Sequence, residues 1–183
     1  TKVMTIHPHS SFKGRSRLEG KGLDMVNSID YLGICLDNHS TWAPQTVKSA
    51  NILVQRAGAI TRLLSHSPIT PLSPVIELYR AKVQSAVLYG AEIWGYINSN
   101  SIAVKENHFF RTICGLPRHC PLIPLFCDLA FKQSRHLAPL KPLIYWVKIW
   151  TTEALQFYRE ALGDLIAVDP YARTPWLKHI KKW

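Results

Sequence analysis

Residues 73–94 read SPVIELYRAKVQSAVLYGAEIW, and this stretch decides the fold. Ser73 followed by Pro74 suits a helix start, with a capping hydroxyl and then proline at the first helical position. Val75, Tyr79, Val83, Ala86 and Val87 recur at helical spacing, and from Ser85 onward the run is apolar nearly all round. A helix apolar on every side belongs inside a bundle, so the stretch predicts one central buried helix ending near Trp94. The most apolar part, Val83 to Trp94, carries Gln84 and Glu92 and is too short to span a bilayer, so no membrane partner is expected.

Working outward, Pro68, Pro71 and Pro74 separate this helix from an earlier one over Trp42 to Ser65. There Val47, Ala50, Val54, Ala57, Ile60 and Leu64 form the expected buried row. Lys48, Gln55 and Arg62 recur every seven residues as a polar stripe with no acid in it, so nothing local neutralises the stripe. A third helix begins at Ser101, buries Ile102, Phe109 and Ile113, and is closed by Gly115 and Pro117. A short segment from Leu122 to Ala130 precedes a long helix from Lys141 to Leu162, with Leu143, Val147, Trp150, Ala154, Tyr158 and Ala161 as its buried row. Trp176 to Trp183 is a basic, aromatic tail, helical or frayed.

Before the helices, Lys2 to His7 and Ile29 to Leu36 are β-prone and could pair as a small ribbon. The segment between them holds Lys13, Gly14, Arg15, Arg17, Gly20, Lys21 and Gly22. It reads equally as a loop that contacts a phosphate backbone and as a solvated connection. The chain has 183 residues, 47% of them hydrophobic, with six Trp, which is enough to bury a core. The fold class expected is mainly α, a helical bundle with a small N-terminal β ribbon.

Lys and Arg number 22 against 12 Asp and Glu, a net charge of +10, the footprint of a phosphate-binding surface. Cys35, Cys114, Cys120 and Cys127 contain no C-x-x-C pair, so reduced thiols and an intracellular setting, nucleus or cytoplasm, are expected. His108, Cys114, His119, Cys120 and Cys127 lie near one another in sequence, but their spacing matches no usual zinc pattern and no metal is expected. Glu92, alone in a buried helix, needs a partner, either Arg111 or a Tyr hydroxyl. Tyr89, Trp94, Trp146 and Trp150 could stack on bases, but their helical spacing places them in the core.

Three stretches carry more than periodicity. Tyr31-Leu32-Gly33-Ile34, then Leu36-Asp37 and Trp42, resembles the strand-turn element that closes the palm of LINE-type, non-LTR retrotransposon reverse transcriptases. Leu88-Tyr89-Gly90-Ala91-Glu92-Ile93-Trp94-Gly95 and Arg111-Thr112-Ile113-Cys114-Gly115-Leu116-Pro117 resemble the thumb and post-thumb signature of that family, in the same order. Thr1-Lys2-Val3-Met4 looks like the end of the lysine motif before those strands. The resemblance implies a palm remnant with a primer-grip-like turn over 1–40, a thumb-like bundle over 41–120 and a post-thumb extension over 121–183.

By that resemblance Tyr31, Leu32 and Gly33 form the primer-grip turn or, on the plainer reading, a β-turn packed on the thumb. Phosphate contacts are expected from Lys13, Arg15, Arg17, Lys21, Lys48, Arg56 and Arg62, and secondarily from Arg118, His119, Lys178, Lys181 and Lys182. The parent activity is RNA-directed DNA polymerisation, which needs carboxylates clamping two Mg²⁺ ions. No aromatic-x-Asp-Asp turn occurs here. The chain, opening on Thr1, therefore reads as part of a longer frame that binds RNA–DNA or DNA duplex weakly and salt-sensitively, partners the palm in cis, and neither polymerises nor holds a cofactor. The rival expectations are a decayed reading frame without activity and a helical protein-interaction module.

Overall fold

The computed structural model describes residues 2–6, 17–18, 20–66, 71–97, 99–168, 175–180 and 182. The fold is mainly helical with a small strand segment at its start, as the sequence predicts. The strands pair differently from that reading. β1 (Lys2–Val3) runs parallel to β4 (Asp24–Met25), β2 (Arg17–Leu18) pairs antiparallel with β3 (Lys21–Gly22), and β5 (Ser28–Tyr31) folds back on β6 (Ile34–Asp37). The run Ile29 to Leu36 is thus a hairpin in itself, because Leu32 and Gly33 both take positive φ, 48° and 84°. Two successive positive values are the signature of a tight type I′ turn, which reverses the chain and pairs each arm with the other.

Asp37 joins this hairpin to the bundle. Its carboxylate accepts the backbone N–H groups of Thr41 (2.9 Å) and Trp42 (2.8 Å) and the Thr41 hydroxyl (2.9 Å), at the entry to helix α1 (Ala43–Ser65). The Cys35 N–H donates to the buried Gln45 side chain at 2.8 Å, pinning β6 along α1. Ala50, Leu53, Ala57 and Ile60 face the core. Val47 and Val54, expected in the buried row, are 55% and 49% exposed. At 100° per residue each lies a quarter-turn or more from the Ser49–Leu53–Ala57–Ile60 line, so the packed face is rotated from the predicted one.

The central helix begins at Leu72, a residue before Ser73, with Pro71 in the capping position. It runs as α2 (Leu72–Tyr79), one π-helical stretch (Arg80–Gln84) and α3 (Ser85–Val87). It then breaks at Leu88–Gly90, where Gly90 adopts φ 66°, before α4 (Ala91–Trp94). Tyr79, Val83, Val87, Ala91 and Trp94 are completely buried, so the expected central position stands although the helix is not continuous.

Helix α5 (Asn100–Ile113) packs across α1 and is closed, as expected, by Gly115 with positive φ. Its Phe109 and Phe110 join Tyr79, Phe126 and Phe131 in an aromatic cluster with centroids 4.5–5.7 Å apart. Phe126 lies on α6 (Ile123–Asp128), and α7 (Ser134–Leu137) follows.

The predicted helix from Lys141 to Leu162 is two: α8 (Leu140–Thr151) and, after a 3₁₀ turn at Glu153–Leu155, α9 (Gln156–Val168). Thr152 is extended between them, with φ −102° and ψ 116°. The adjacent β-branched Thr151 and Thr152 favour such a break. Within α8 the buried line runs through Pro142 and Ile149, a quarter-turn or more from the expected one, so Val147 and Trp150 are exposed and Leu143 is half-buried; beyond the break Leu162 is buried, whereas Ala154, Tyr158 and Ala161 are exposed. The tail is helical as α10 (Pro175–Ile180), held by the Trp176 indole donating to the Glu92 carbonyl at 3.0 Å. Among the described residues no helix is long and apolar enough to cross a membrane.

Candidate nucleic-acid interface

Two of the stretches singled out in the sequence, Tyr31–Ile34 and Leu88–Gly95, fold against each other. The Tyr89 hydroxyl donates to the Leu32 carbonyl at the hairpin tip, 3.1 Å away, across 57 positions of chain. A Cβ on Gly33 would sit 3.3 Å from the Tyr89 ring, and one on Gly90 would sit 2.5 Å from Ile34 Cδ1. Both glycines also hold positive φ, so a side chain at either meets strain as well as contact. The buried Trp94 indole donates to the Tyr89 carbonyl at 3.1 Å, so the turn is tied through Tyr89 to the core. Tyr31 and Leu32 project from this fastened turn, 64% and 74% exposed.

Tyr89 is therefore exposed and not a core residue, since the break at Gly90 turns it outward, while Trp94 is core as expected. Trp150 is exposed too, and Trp146 stacks loosely between it and Trp176, at 5.8 and 6.1 Å.

The cations are placed in different ways. Lys48 lies beside the turn and forms an ion pair with Asp30 at 2.5 Å. The α1 stripe has no acid of its own, as expected, but Lys48 is met by an acid from the hairpin, 18 positions away in sequence. Arg56 is turned away from the stripe and donates to the Lys82 carbonyl in the π-helical stretch at 2.7 Å. Arg62 lines a groove of about 530 Å³ between α1 and α5, with Lys105 and His108 opposite it on α5. Lys105 escaped the sequence reading, and His108 was singled out only with the cysteines around it, because only the packing of α5 on α1 brings them beside Arg62. Arg17 and Lys21 are exposed on the β2–β3 hairpin. Lys13 and Arg15 lie outside the described residues, as does Lys181. Arg118, His119, Lys178 and Lys182 are exposed but on other parts of the surface.

Three acids have partners of their own. Burial raises the Asp37 carboxyl, but the backbone donors of Thr41 and Trp42, the Thr41 hydroxyl and the His39 N–H outweigh it and hold Asp37 below its ordinary range. Glu92 is half-buried and reaches Lys141 at 3.8 Å, not Arg111 or a tyrosine. The fully buried acid is Glu106, which sequence reading missed because one acid in an amphipathic helix gives no signal of its burial. It accepts the Tyr79 hydroxyl (3.0 Å), the Ser134 hydroxyl (2.8 Å) and the Ser134 N–H (2.9 Å). Burial pushes its carboxyl above the usual range in spite of those donors. The cysteines are unpaired, and burial raises the thiols of Cys35 and Cys114.

No family model matches the chain, and no solved structure matches it. A Drosophila melanogaster protein named as a probable RNA-directed DNA polymerase from transposon BS is 31% identical over 134 residues, 68% of this chain. The chain spans 15% of that relative's length. The chain thus contains a region similar to part of a transposon RNA-directed DNA polymerase.

Proposed function

We infer that this chain corresponds to the palm-end, thumb and post-thumb part of a LINE-type reverse transcriptase, and that it grips duplex nucleic acid by its backbone without polymerising on its own. The observation that carries this reading is the exposed Tyr31-Leu32-Gly33 turn, fastened by Tyr89 beside an α1 that contains no acid. A tip held rigidly to the core presents side chain and backbone to a strand at fixed geometry, and the α1 cations supply sequence-independent attraction to phosphate. Lys48 and Arg62 are 14 residues apart, roughly 21 Å along the helix axis, a length that tracks several phosphates of one strand.

Three of the described acids are already engaged within the fold. Asp30 is paired with Lys48, Asp37 is spent on Thr41 and Trp42, and Glu106 is sealed in the core. Mg²⁺-assisted nucleotidyl transfer would need carboxylates held together and open to substrate.

The test is fluorescence anisotropy of a labelled RNA–DNA hybrid at low salt, with Leu32→Asp as the partner variant. Binding by the parent and its loss in Leu32→Asp, with melting unchanged, is the expected result. Undetectable binding by the folded parent overturns the reading. A protein-interaction role is favoured by one feature, the exposed Val147, Trp150, Phe157, Tyr158 and Leu165 of α8 and α9. Self-association on sizing that is unchanged by salt would support it.

A further inference from the structure

We propose that the groove between α1 and α5 is a binding site for a small amphipathic anion, its apolar body on the groove floor and its acid head between Arg62 and Lys105. The inference is independent of the nucleic-acid reading. The groove, of about 530 Å³, falls within the range of small-ligand sites. Its floor is carbon: Leu53, Ala57 and Phe109 line it and are themselves buried in the core. Its rim carries two cations, Arg62 from one helix and Lys105 from the other, with the His108 imidazole beside them, all exposed. No carboxylate among the described residues lines it. Among the described residues neither Arg62 nor Lys105 forms an ion pair, in contrast to Lys48 and Arg80, whose charges are met by Asp30 and Glu77.

This pairing of features selects the ligand class. A phosphodiester backbone would use the rim and leave the apolar floor wet. A neutral hydrocarbon would fill the floor and leave two cations side by side without a counter-charge. An apolar chain or ring system ending in a carboxylate or sulfonate satisfies both, and a charge-assisted contact to Arg or Lys is the stronger kind of hydrogen bond.

Gly58 lines the groove in mid-helix, where an added Cβ would meet nothing within 4 Å. A larger side chain there starts in open space and can extend over the groove floor.

Anilinonaphthalene sulfonate is the probe, and its uncharged analogue phenylnaphthylamine the control. The expected result is saturable binding of the sulfonate to the intact chain, competed by dodecanoate, with weaker binding of the analogue. Gly58→Phe should abolish the saturable site. The double variant Arg62→Met, Lys105→Met leaves the floor intact and should weaken sulfonate binding roughly tenfold or more while leaving the analogue unchanged. Sulfonate binding that survives Gly58→Phe, resists dodecanoate, or is unmoved in the double variant overturns the proposal. If Gly58→Phe fails to fold, the double variant, altered only at exposed positions, still decides.

Discussion

Asp37 and Glu106 are both buried carboxylates, and their surroundings drive them in opposite directions. Asp37 sits at the strand-to-helix corner, where four donors favour the charged form over the cost of burial and lower its pKa. Its contribution to stability is therefore present above the ordinary carboxylate range and lost as pH falls through its lowered value. Asp37→Asn should flatten the acid limb of a stability-against-pH curve, measured by urea melts. Glu106 has a raised pKa, so the sign reverses: its contribution is fully present below the ordinary glutamate range and lost as pH rises through the raised value. Glu106→Gln keeps an acceptor for Ser134 and removes the charge. Its stability relative to the parent should improve with rising pH across that window, and a difference constant with pH would show that Glu106 does not titrate there. Glycines divide just as sharply by surroundings. Gly90→Ala places a Cβ against Ile34 at a positive φ and should cost about 1 kcal/mol or more. Gly58→Ala, in open helical space, should gain about 0.5–1 kcal/mol.

At the level of elements, the turn and the helix break form one unit. Trp94 is 0% exposed and fixes the Tyr89 carbonyl, while Tyr89 in turn fixes the hairpin tip. Trp94→Ala should destabilise by about 3–5 kcal/mol in a chemical melt, enough to unfold much of a domain of this size. Tyr89→Phe should cost only about 1 kcal/mol, the net worth of one hydrogen bond, while loosening the tip, seen as faster amide exchange at Gly33. The sequence made the helices of this unit legible because Val83, Val87 and Trp94 repeat on one face, and it made the turn legible through Gly33. It left the breaks illegible. A positive φ at Leu32, the π-helical stretch at Arg80–Gln84 and the extended Thr152 are imposed by packing, and periodicity read through such a break assigns the following residues to the wrong face. That is why Tyr158 was expected inside; Val147, ahead of the break, was assigned to the wrong face of α8 itself, and Lys48 was expected without its Asp30 partner, an acid delivered by a hairpin whose register no local pattern specifies.

Over the whole molecule the net charge of +10 sets a long-range attraction to polyanions, but local pairing determines how much of it each cation can deliver. A cation that contacts phosphate releases condensed counterions, so the slope of log affinity against log salt is about 0.9 for each phosphate neutralised on B-form DNA. With three to five contacts, a tenfold rise in salt should weaken duplex binding several hundredfold or more. Arg62 has no ion-pair partner among the described residues and should contribute a full contact if the duplex lies along α1. Lys48 must first share or surrender Asp30, and a lysine already neutralised releases fewer ions on binding. Arg62→Gln should therefore flatten the slope by close to one contact, Lys48→Gln by distinctly less, and Asp30→Asn should steepen it by freeing Lys48. All three should leave the melting temperature nearly unchanged, because the Lys48–Asp30 pair lies at the surface, where such pairs contribute about 0–1 kcal/mol. Equal effects of Lys48→Gln and Arg62→Gln would mean that the ion pair opens at no cost. No effect of either would place the duplex away from α1 and leave Arg17 and Lys21 as the cations to examine.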